Sequence, residues 1–545
     1  MKKLSILTTT ILPILLICYS GFSQVTEEWA ARYNGPDNKN DQARLIAADP
    51  SGNVIVSGTS GNKKGGFAYI TTVKYNPVTG TQQFVARYSG PSNTPGNEYP
   101  YALAVDNAGN IYVTGRSMGS GSNVDIVTIK YNSSLVQQWV ARFNGPGNLN
   151  DIPGDIKVDA SGNVYVTGLT GSDNPLNTNG AAIVTLKYNN SLGMMQAGFP
   201  VYYDGAAGNQ EQGVSLDLDG NGNIYITGKS EGMVTIKYTP SGLFMWSRTI
   251  SSATGRRVLV DAGNNVIASG WGGKISKYDT DGNPIWQMTA SLPSTSFWDM
   301  VLDGTGNAYV TGTYDGVSAN HSDYLTAKYS STDGTEEWIK TYNGPRGDID
   351  IARSIALDGS GNVYITGYTS VNDGSRNGGV NYGTIKYNNN GDQQWVDVYD
   401  GLDKDGGQAF GVATDAAGNV YVTGESFNKT NIDYGTVKYS QGAVPSKSII
   451  TVPLAENKIP SFSLQNYPNP FSQTTIIEYQ IPQEVKVKLT VYDLLGKEIA
   501  TLVNETKSAG VHRVNFSANK LSAGTYICQL QVGDFIQTRK LTLLK

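Results

Sequence analysis

One ten-residue phrase limits what this chain can fold into more than any other feature. Asp159-Ala-Ser-Gly-Asn-Val-Tyr-Val-Thr-Gly168 recurs eight times with small changes, beginning at Asp49, Asp106, Asp159, Asp219, Asp261, Asp303, Asp358 and Asp415. The copies lie 53 to 60 residues apart, apart from two intervals of 42 on either side of Asp261. A unit of this size cannot bury a core alone and reads as an array of stacked units. Each copy opens with an apolar run such as Leu103-Ala104-Val105. The Asp-x-x-Gly-Asn turn follows, its Asp able to cap the turn and its Gly able to take positive φ. A β-branched strand such as Ile111-Tyr112-Val113-Thr114 comes next, then a variable loop and a strand ending in Lys-Tyr, at Lys74, Lys130, Lys187, Lys237, Lys277, Lys328, Lys386 and Lys438. A fourth strand begins at Trp139, Trp246, Trp286, Trp338 or Trp395, with Phe84 and Phe199 in two other repeats. Four short strands per repeat, joined by turn residues, predict the blade of a β-propeller.

The two ends of the array complement each other. The eighth repeat stops after Lys438-Tyr439 without its Trp strand, while Trp29-Ala-Ala-Arg-Tyr33-Asn-Gly-Pro36 is a Trp strand with no blade before it. Pairing the two closes the ring and removes two open sheet edges. The expected fold is therefore all-β, a closed propeller of eight four-stranded blades. The alternative is seven, with one of the short repeats incomplete.

Within such a ring, the run before each Asp is the innermost strand, and Ala47, Ala104, Ala356 and Ala413 suit the crowding there. Lys157 and Asp217 stand at the same slot in the third and fourth repeats, either as a mutually satisfied pair or as a polar site in the channel. Connections alternate between the two faces of the ring. The uniform Asp-x-x-Gly-Asn turns therefore share one face, and the variable loops share the other with Asn34-Gly-Pro36, Asn144-Gly-Pro146 and Asn343-Gly-Pro345. Loops such as 171–180 and 371–381 differ between repeats, as specificity-bearing segments do. Trp271, Tyr314, Tyr368 and Phe427 follow the Thr-Gly position and are candidates for a ligand face, or else covers for blade edges.

The N-terminus, Met1-Lys2-Lys3 followed by an apolar stretch and then Gly21-Phe22-Ser23, reads as a secretory signal with cleavage between Ser23 and Gln24. Cys18 is a poor lipidation site because bulky Ile17 precedes it. Removal of the signal leaves Cys528 without a disulfide partner. The formal net charge of −5 hides a division. Residues 458–545 carry ten Lys/Arg and six Asp/Glu, a net +4, and two lysines lie in the signal, which leaves −11 for the rest. A propeller this acidic argues against nucleic acid as partner. The expectation is no cofactor. One candidate calcium loop stands out, Asp217-x-Asp219-x-Asn221, but Gly228 occupies the place of its bidentate acid. With only His321 and His512, in different domains, a multi-histidine metal site is excluded. No nucleophile elbow or phosphate loop is present. Acidic pairs such as Asp348/Asp350 and Asp403/Asp405 leave carboxylate chemistry on a polysaccharide open.

The phrases Tyr-Asn-Gly-Pro, Asp-x-x-Gly-Asn-Val-Tyr-Val-Thr-Gly and Gln-Gln-Trp-Val resemble the bacterial SBBP β-propeller repeat family over roughly residues 29–439. That resemblance implies a fold and an extracytoplasmic location, and no particular reaction. Residues 441–460 read as a linker after a propeller of residues 24–440. Residues 461–545 read as a small Ig-like β-sandwich, with Ile477/Tyr479/Ile481 and Val485/Val487/Leu489/Val491 alternating with polar residues. Cys528 alternates in phase with Tyr526 and Leu530 and reads as a buried small hydrophobe. This segment resembles the type A C-terminal sorting domain of the type IX secretion system. The resemblance is carried by Leu464-Gln-Asn466-Tyr467-Pro468-Asn469-Pro470-Phe471, by Val491-Tyr-Asp-Leu-Leu-Gly496, by Gly510, by Leu521-Ser-Ala-Gly524-Thr-Tyr526 and by the closing Lys540 to Lys545. It implies the Sec translocon and the type IX machinery as partners, with release or attachment at the cell surface as the only link to a membrane. The reading is a secreted or surface-displayed monomer that binds a glycan or protein, or acts as scaffold. The runner-up is an extracellular polysaccharide hydrolase or lyase with its site on the loop-rich face.

Overall fold

The computed structural model describes residues 25–62, 67–91, 98–119, 123–172, 181–205, 211–316, 322–371, 379–440, 463–467, 469, 471–481, 485–494, 496–508, 510–519, 521–533 and 535–544. Among these, all regular structure is β-strand. The signal segment with Ser23 and Gln24, the 441–460 segment, most of the 171–180 and 371–381 loops, and Pro468, Pro470 and Lys545 lie outside the described residues. The chain divides into two compact units, Met1–Val444 and Pro445–Lys545.

The first unit contains eight four-stranded antiparallel sheets. Seven take four consecutive strands. The eighth takes Gly407–Thr414, Val420–Phe427 and Ile432–Tyr439, and its outer strand is Glu27–Tyr33. Trp29 stands opposite Lys438 and Tyr33 opposite Tyr434, so the lone N-terminal Trp strand completes the last blade. The short fifth repeat still forms a whole blade, which decides for eight over seven. The inner strands are Asp41–Ala48, Tyr99–Val105, Asn150–Val158, Gln212–Leu218, Gly255–Val260, Thr295–Leu302, Ile351–Leu357 and Gly407–Thr414. Each packs against the next and the eighth against the first, which makes a closed ring around a channel.

The repeated phrase builds its turn as its residues require. At Asp49 the side chain accepts from the Ser51 and Asn53 backbone N–H groups, both at 2.9 Å, and Gly52 takes φ +80°. Where the fifth repeat has Asn264 in place of Gly, Asn takes φ +62°, a value it tolerates better than most residues. Neighbouring blades are stitched by the Lys and Trp that mark the outer strands. Lys237 and Trp246 both donate to the Thr280 carbonyl of the next blade, at 2.7 and 3.1 Å. Lys277 and Trp286 do the same to Ser331, at 2.9 and 3.3 Å. Trp29 donates to the Pro77 carbonyl at 3.1 Å, so the closing seam uses the same device as the other junctions. One boundary differs from expectation. The outer strand of the third blade is only Val201–Tyr203, and Phe199 precedes it, packed against Val201 and Tyr203. Without a Trp to donate, that strand is the shortest of the ring.

The second unit is two antiparallel sheets around one core. Three strands, Ser463–Tyr467, Thr474–Ile481 and Gly510–Ser517, form one sheet. Glu498–Lys507, Val485–Tyr492, Gly524–Val532 and Phe535–Leu543 form the other. The alternation read from sequence is the core, with Ile477, Tyr479, Val487, Leu489 and Val491 fully buried. Cys528 is buried among them, and burial pushes its thiol up to about 12, which keeps it protonated and unreactive. Of the sorting phrases, Asn466 is buried and donates to Thr475 Oγ1, and Phe471 packs near Phe516. Asn469 is exposed and ties its strand to the last one, donating to the Lys540 carbonyl and accepting from Thr542 N–H. Gly496 closes the Asp493 turn at φ +82°, and Gly524 begins a core strand.

Candidate ligand seat at the channel mouth

The final Gly of the repeated phrase has a structural task that the sequence did not announce. In every blade the inner strand carries a β-bulge directly opposite it. Ala43 pairs with Gly58 and Leu45 with Ser57, which leaves Arg44 extra, and the pattern repeats in all eight blades. A methyl group on these glycines would meet a carbonyl oxygen of the facing strand at 2.0 Å for Gly58, 1.8 Å for Gly228 and 1.9 Å for Gly367. Only Gly lets the bulged backbone approach so closely, and a bulge redirects the side chain of its extra residue.

The extra residues are Arg44, Tyr101, Gly154, Val214, Arg256, Trp298, Arg353 and Phe410, and all eight line one hollow of about 550 Å³ in the channel. They sit near the start of each inner strand, hence at the mouth on the variable-loop side. Their chemistry is gathered at two poles. At one, Arg44 lies 3.9 Å over the Phe410 ring and 5.8 Å from that of Tyr99. At the other, Trp298 stands between Arg256, at 4.7 Å, and Arg353, at 5.0 Å. Trp271 meets Trp298 edge-on at 5.6 Å and receives Arg256 at 5.4 Å, while Arg353 lies 5.7 Å over Tyr368.

One residue deeper, the channel is electrostatically settled. Arg257 pairs with Asp299 at 2.8 Å and Asp155 at 3.7 Å. Asp299 also accepts from the Ile355 N–H, and Asp155 from Ser215 Oγ. Further along, Lys157 pairs with Asp217 at 3.4 Å, and Asp217 accepts from Val260 N–H at 2.9 Å. The two odd residues of the sequence are thus a mutual pair across adjacent blades. At the mouth itself only Arg44 has a carboxylate, Glu425 at 2.7 Å. Among the described residues no carboxylate lies within ion-pair distance of Arg256 or Arg353, and their buried Nε atoms and the Trp298 Nε1 have no hydrogen-bond acceptor. Burial depresses the pKa of Arg256, the charges of Arg353 and Arg257 push the same way, and that of Asp299 opposes them in part.

The four aromatic residues expected on the ligand face divide. Trp271, 40% exposed, and Tyr368 belong to the mouth. Tyr314 packs half-buried against the sixth blade. Phe427 is buried at the end of its strand, where its N–H donates to Gly406, so it offers no exposed face. The calcium-loop residues have other partners. Both oxygens of Asp219 are taken by its own turn, through Asn221 and Asn223 N–H, the Asn223 amide and the Tyr225 hydroxyl. Among the described residues no three His, Cys, Asp or Glu side chains converge as metal ligands. Asp350 is fully buried and accepts from Gly344 N–H, Ser370 N–H and Thr369 Oγ1, so it forms no exposed acidic pair with Asp348. Asp41 and Asp151 hold Gly35 and Gly145 in the same way. These buried acids, set at the head of the inner strand, clamp the Asn-Gly-Pro loops and were not recognised from sequence. Alignment of the repeats on their turn Asp would have brought these acids into one column eight residues before it, but would not have shown which inner-strand residue is bulged.

Two family models match parts of the chain. Residues 83–121, 138–176 and 337–375 match the family described as Beta-propeller repeat, and residues 465–543 match the Secretion system C-terminal sorting domain. No curated protein matches the chain. Among solved structures, the C-terminal WD40 domain of Sif2 aligns with 77% of this chain and 99% of its own at 10% identity and a TM-score of 0.49. The Dos1 propeller aligns with 77% and 96% at 9% identity and 0.47. BamB from Moraxella catarrhalis aligns with 76% and 100% at 12% identity and 0.43. A type IX sorting tail indicates export to the cell surface or the extracellular space and implies contact with the secretion machinery.

Proposed function

We propose that this exported propeller is a binding module and that its ligand seat is the loop-side mouth of the central channel. One observation carries the reading. Eight bulges, each made possible by the Gly of the repeated phrase, turn eight side chains onto one hollow, and at the Arg256–Trp298–Arg353 pole the cations have no carboxylate partner among the described residues. Buried polar groups without partners cost free energy, so their retention at a solvent-reached mouth favours a ligand that completes them.

The hydrolase or lyase reading finds less support. It needs a free pair of carboxylates, and those around the mouth are held by cations, Glu425 by Arg44 and the deeper Asp155 and Asp299 by Arg257. The secreted full-length protein, tested on a glycan array and then on the retained glycans in solution, separates the readings. Retention without turnover, lost in Trp298→Ala, supports the binding module; product release would replace it with an enzyme. Deletion of residues 458–545 should leave the protein in the periplasm, and undiminished surface display would remove the export role from the tail.

A further inference from the structure

We propose that the mouth takes an acidic polysaccharide, with a sugar-borne carboxylate paired to a guanidinium of the Arg256–Trp298–Arg353 cluster; this rests on the binding-module reading above. Arg256 and Arg353 flank a single indole, within 4.7 and 5.0 Å of it. Their neighbours Arg44 and Arg257 differ in having carboxylates, at 2.7 and 2.8 Å; the missing ion pair, and not a buried Nε without an acceptor, which Arg44 shares, sets Arg256 and Arg353 apart among the described residues. A planar guanidinium fork accepts a carboxylate through paired N–H donors. Because the two charges are partly desolvated and repel each other, an anion placed beside them relieves a cost already present before binding.

The shape of the surroundings favours a chain of sugars over a small ion. Trp271 lies 5.4 Å from Arg256 at the channel mouth and also lines a second hollow of about 340 Å³, bounded by Lys229, Glu231, Ser252 and Thr254, where a neutral sugar unit fits better than a charged one. Its indole, 40% exposed, therefore stands between two hollows. A pyranose ring presents an apolar C–H face to such an indole and hydroxyl groups to Ser252 and Thr254 beside it. A polymer lying across Trp271 reaches both hollows at once, with its next residue delivering the carboxylate to the arginine pair. The acidic exterior, −11 outside the tail and signal, disfavours polyanions elsewhere on the surface, but its field is screened beyond about 8 Å at physiological salt.

The test uses the secreted full-length protein and three probes: an oligogalacturonate, its fully methyl-esterified form, and inorganic phosphate. Intrinsic Trp fluorescence and calorimetry follow binding. The expected result is binding of the acid oligomer alone, weakened at least about tenfold in Arg353→Gln, less in Arg353→Lys, and also weakened in Trp271→Ala, with melting temperatures unchanged. Equal binding of the methyl ester would overturn the carboxylate assignment while leaving a carbohydrate seat. Phosphate binding as tight as the oligomer would reduce the site to an anion hole and overturn the polysaccharide. Binding unaffected by all three variants would place the seat away from the channel mouth and overturn this site while leaving a binding module; no binding of the acid oligomer would overturn the acidic-polysaccharide assignment.

Discussion

The two ends of each inner strand carry similar residues to opposite effect. At the turn end, a carboxylate is surrounded by donors. Asp358 accepts from Ser360 and Asn362 backbone N–H, from the Asn362 amide and from the Tyr364 hydroxyl. Seven other blades repeat a turn of this kind. At the mouth end, the bulged residue varies from Gly to Arg to Trp, and two of the three arginines have no carboxylate partner among the described residues. The first end is uniform because it builds the blade. The second is free to differ because the bulge depends on the backbone and on the Gly opposite, and hardly on the side chain turned into the channel. Stability and recognition are thus separated by about five residues along the same strand.

Breaking the turn end should produce the largest effect. Asp358→Ala leaves the Asn362, Ser360 and Tyr364 donors without their acceptor and should destabilise the propeller by about 2–3 kcal/mol in chemical denaturation. A loss below about 0.5 kcal/mol would mean that solvent replaces the carboxylate and would erase the contrast.

The pH response is expected to be intermediate. Burial, then the charges of Asp397 and Asp400, push Glu27 up to about 7, and burial pushes Asp151 and Asp433 to about 6. These groups hold protons more tightly folded than unfolded, so stability falls as pH rises from about 4 to 7. The turn acids behave oppositely. Burial raises Asp49 and Asp358, but hydrogen bonds from Lys74 and Asn53 in one, and from Asn362 and Tyr364 in the other, leave both below the usual carboxylate value. Their contribution is present at neutral pH and is lost below about pH 4. The melting temperature should therefore peak near pH 5 and drop by a few degrees toward pH 8, and Glu27→Gln should flatten the upper limb. A melting temperature that rises steadily to pH 8 would contradict this.

The smallest effect, with the opposite sign, belongs to the mouth. Arg353→Gln removes a partly buried, unpaired charge and should leave stability unchanged or raise it by up to about 1 kcal/mol. Destabilisation as large as that of Asp358→Ala would show that the mouth, too, is built for the fold.

Much of this architecture could be read from residues alone because it is written as a period. The eight turns, the Lys-Tyr strand ends and the orphan Trp29 segment each follow from local chemistry repeated until chance is excluded. The Lys157–Asp217 pair was legible as well, since a cation and an anion at one slot of adjacent repeats must lie side by side. The seat was not. Arg256 and Trp298 sit in runs that look like ordinary strand, and nothing in a linear pattern says that residue 298 is the extra one of a bulge. Trp271 and Tyr368 were picked out for following Thr-Gly, and the same rule wrongly picked Phe427, because position after a strand does not decide which way a ring turns.

The closing seam has a consequence in time. Trp29 finds its place only beside Lys438, so the first described strand stays unpaired until the eighth repeat has been made. A chain synthesised from its N-terminus cannot complete the toroid while any repeat is still missing. The oldest part of the polypeptide acts as a latch that the youngest part must reach.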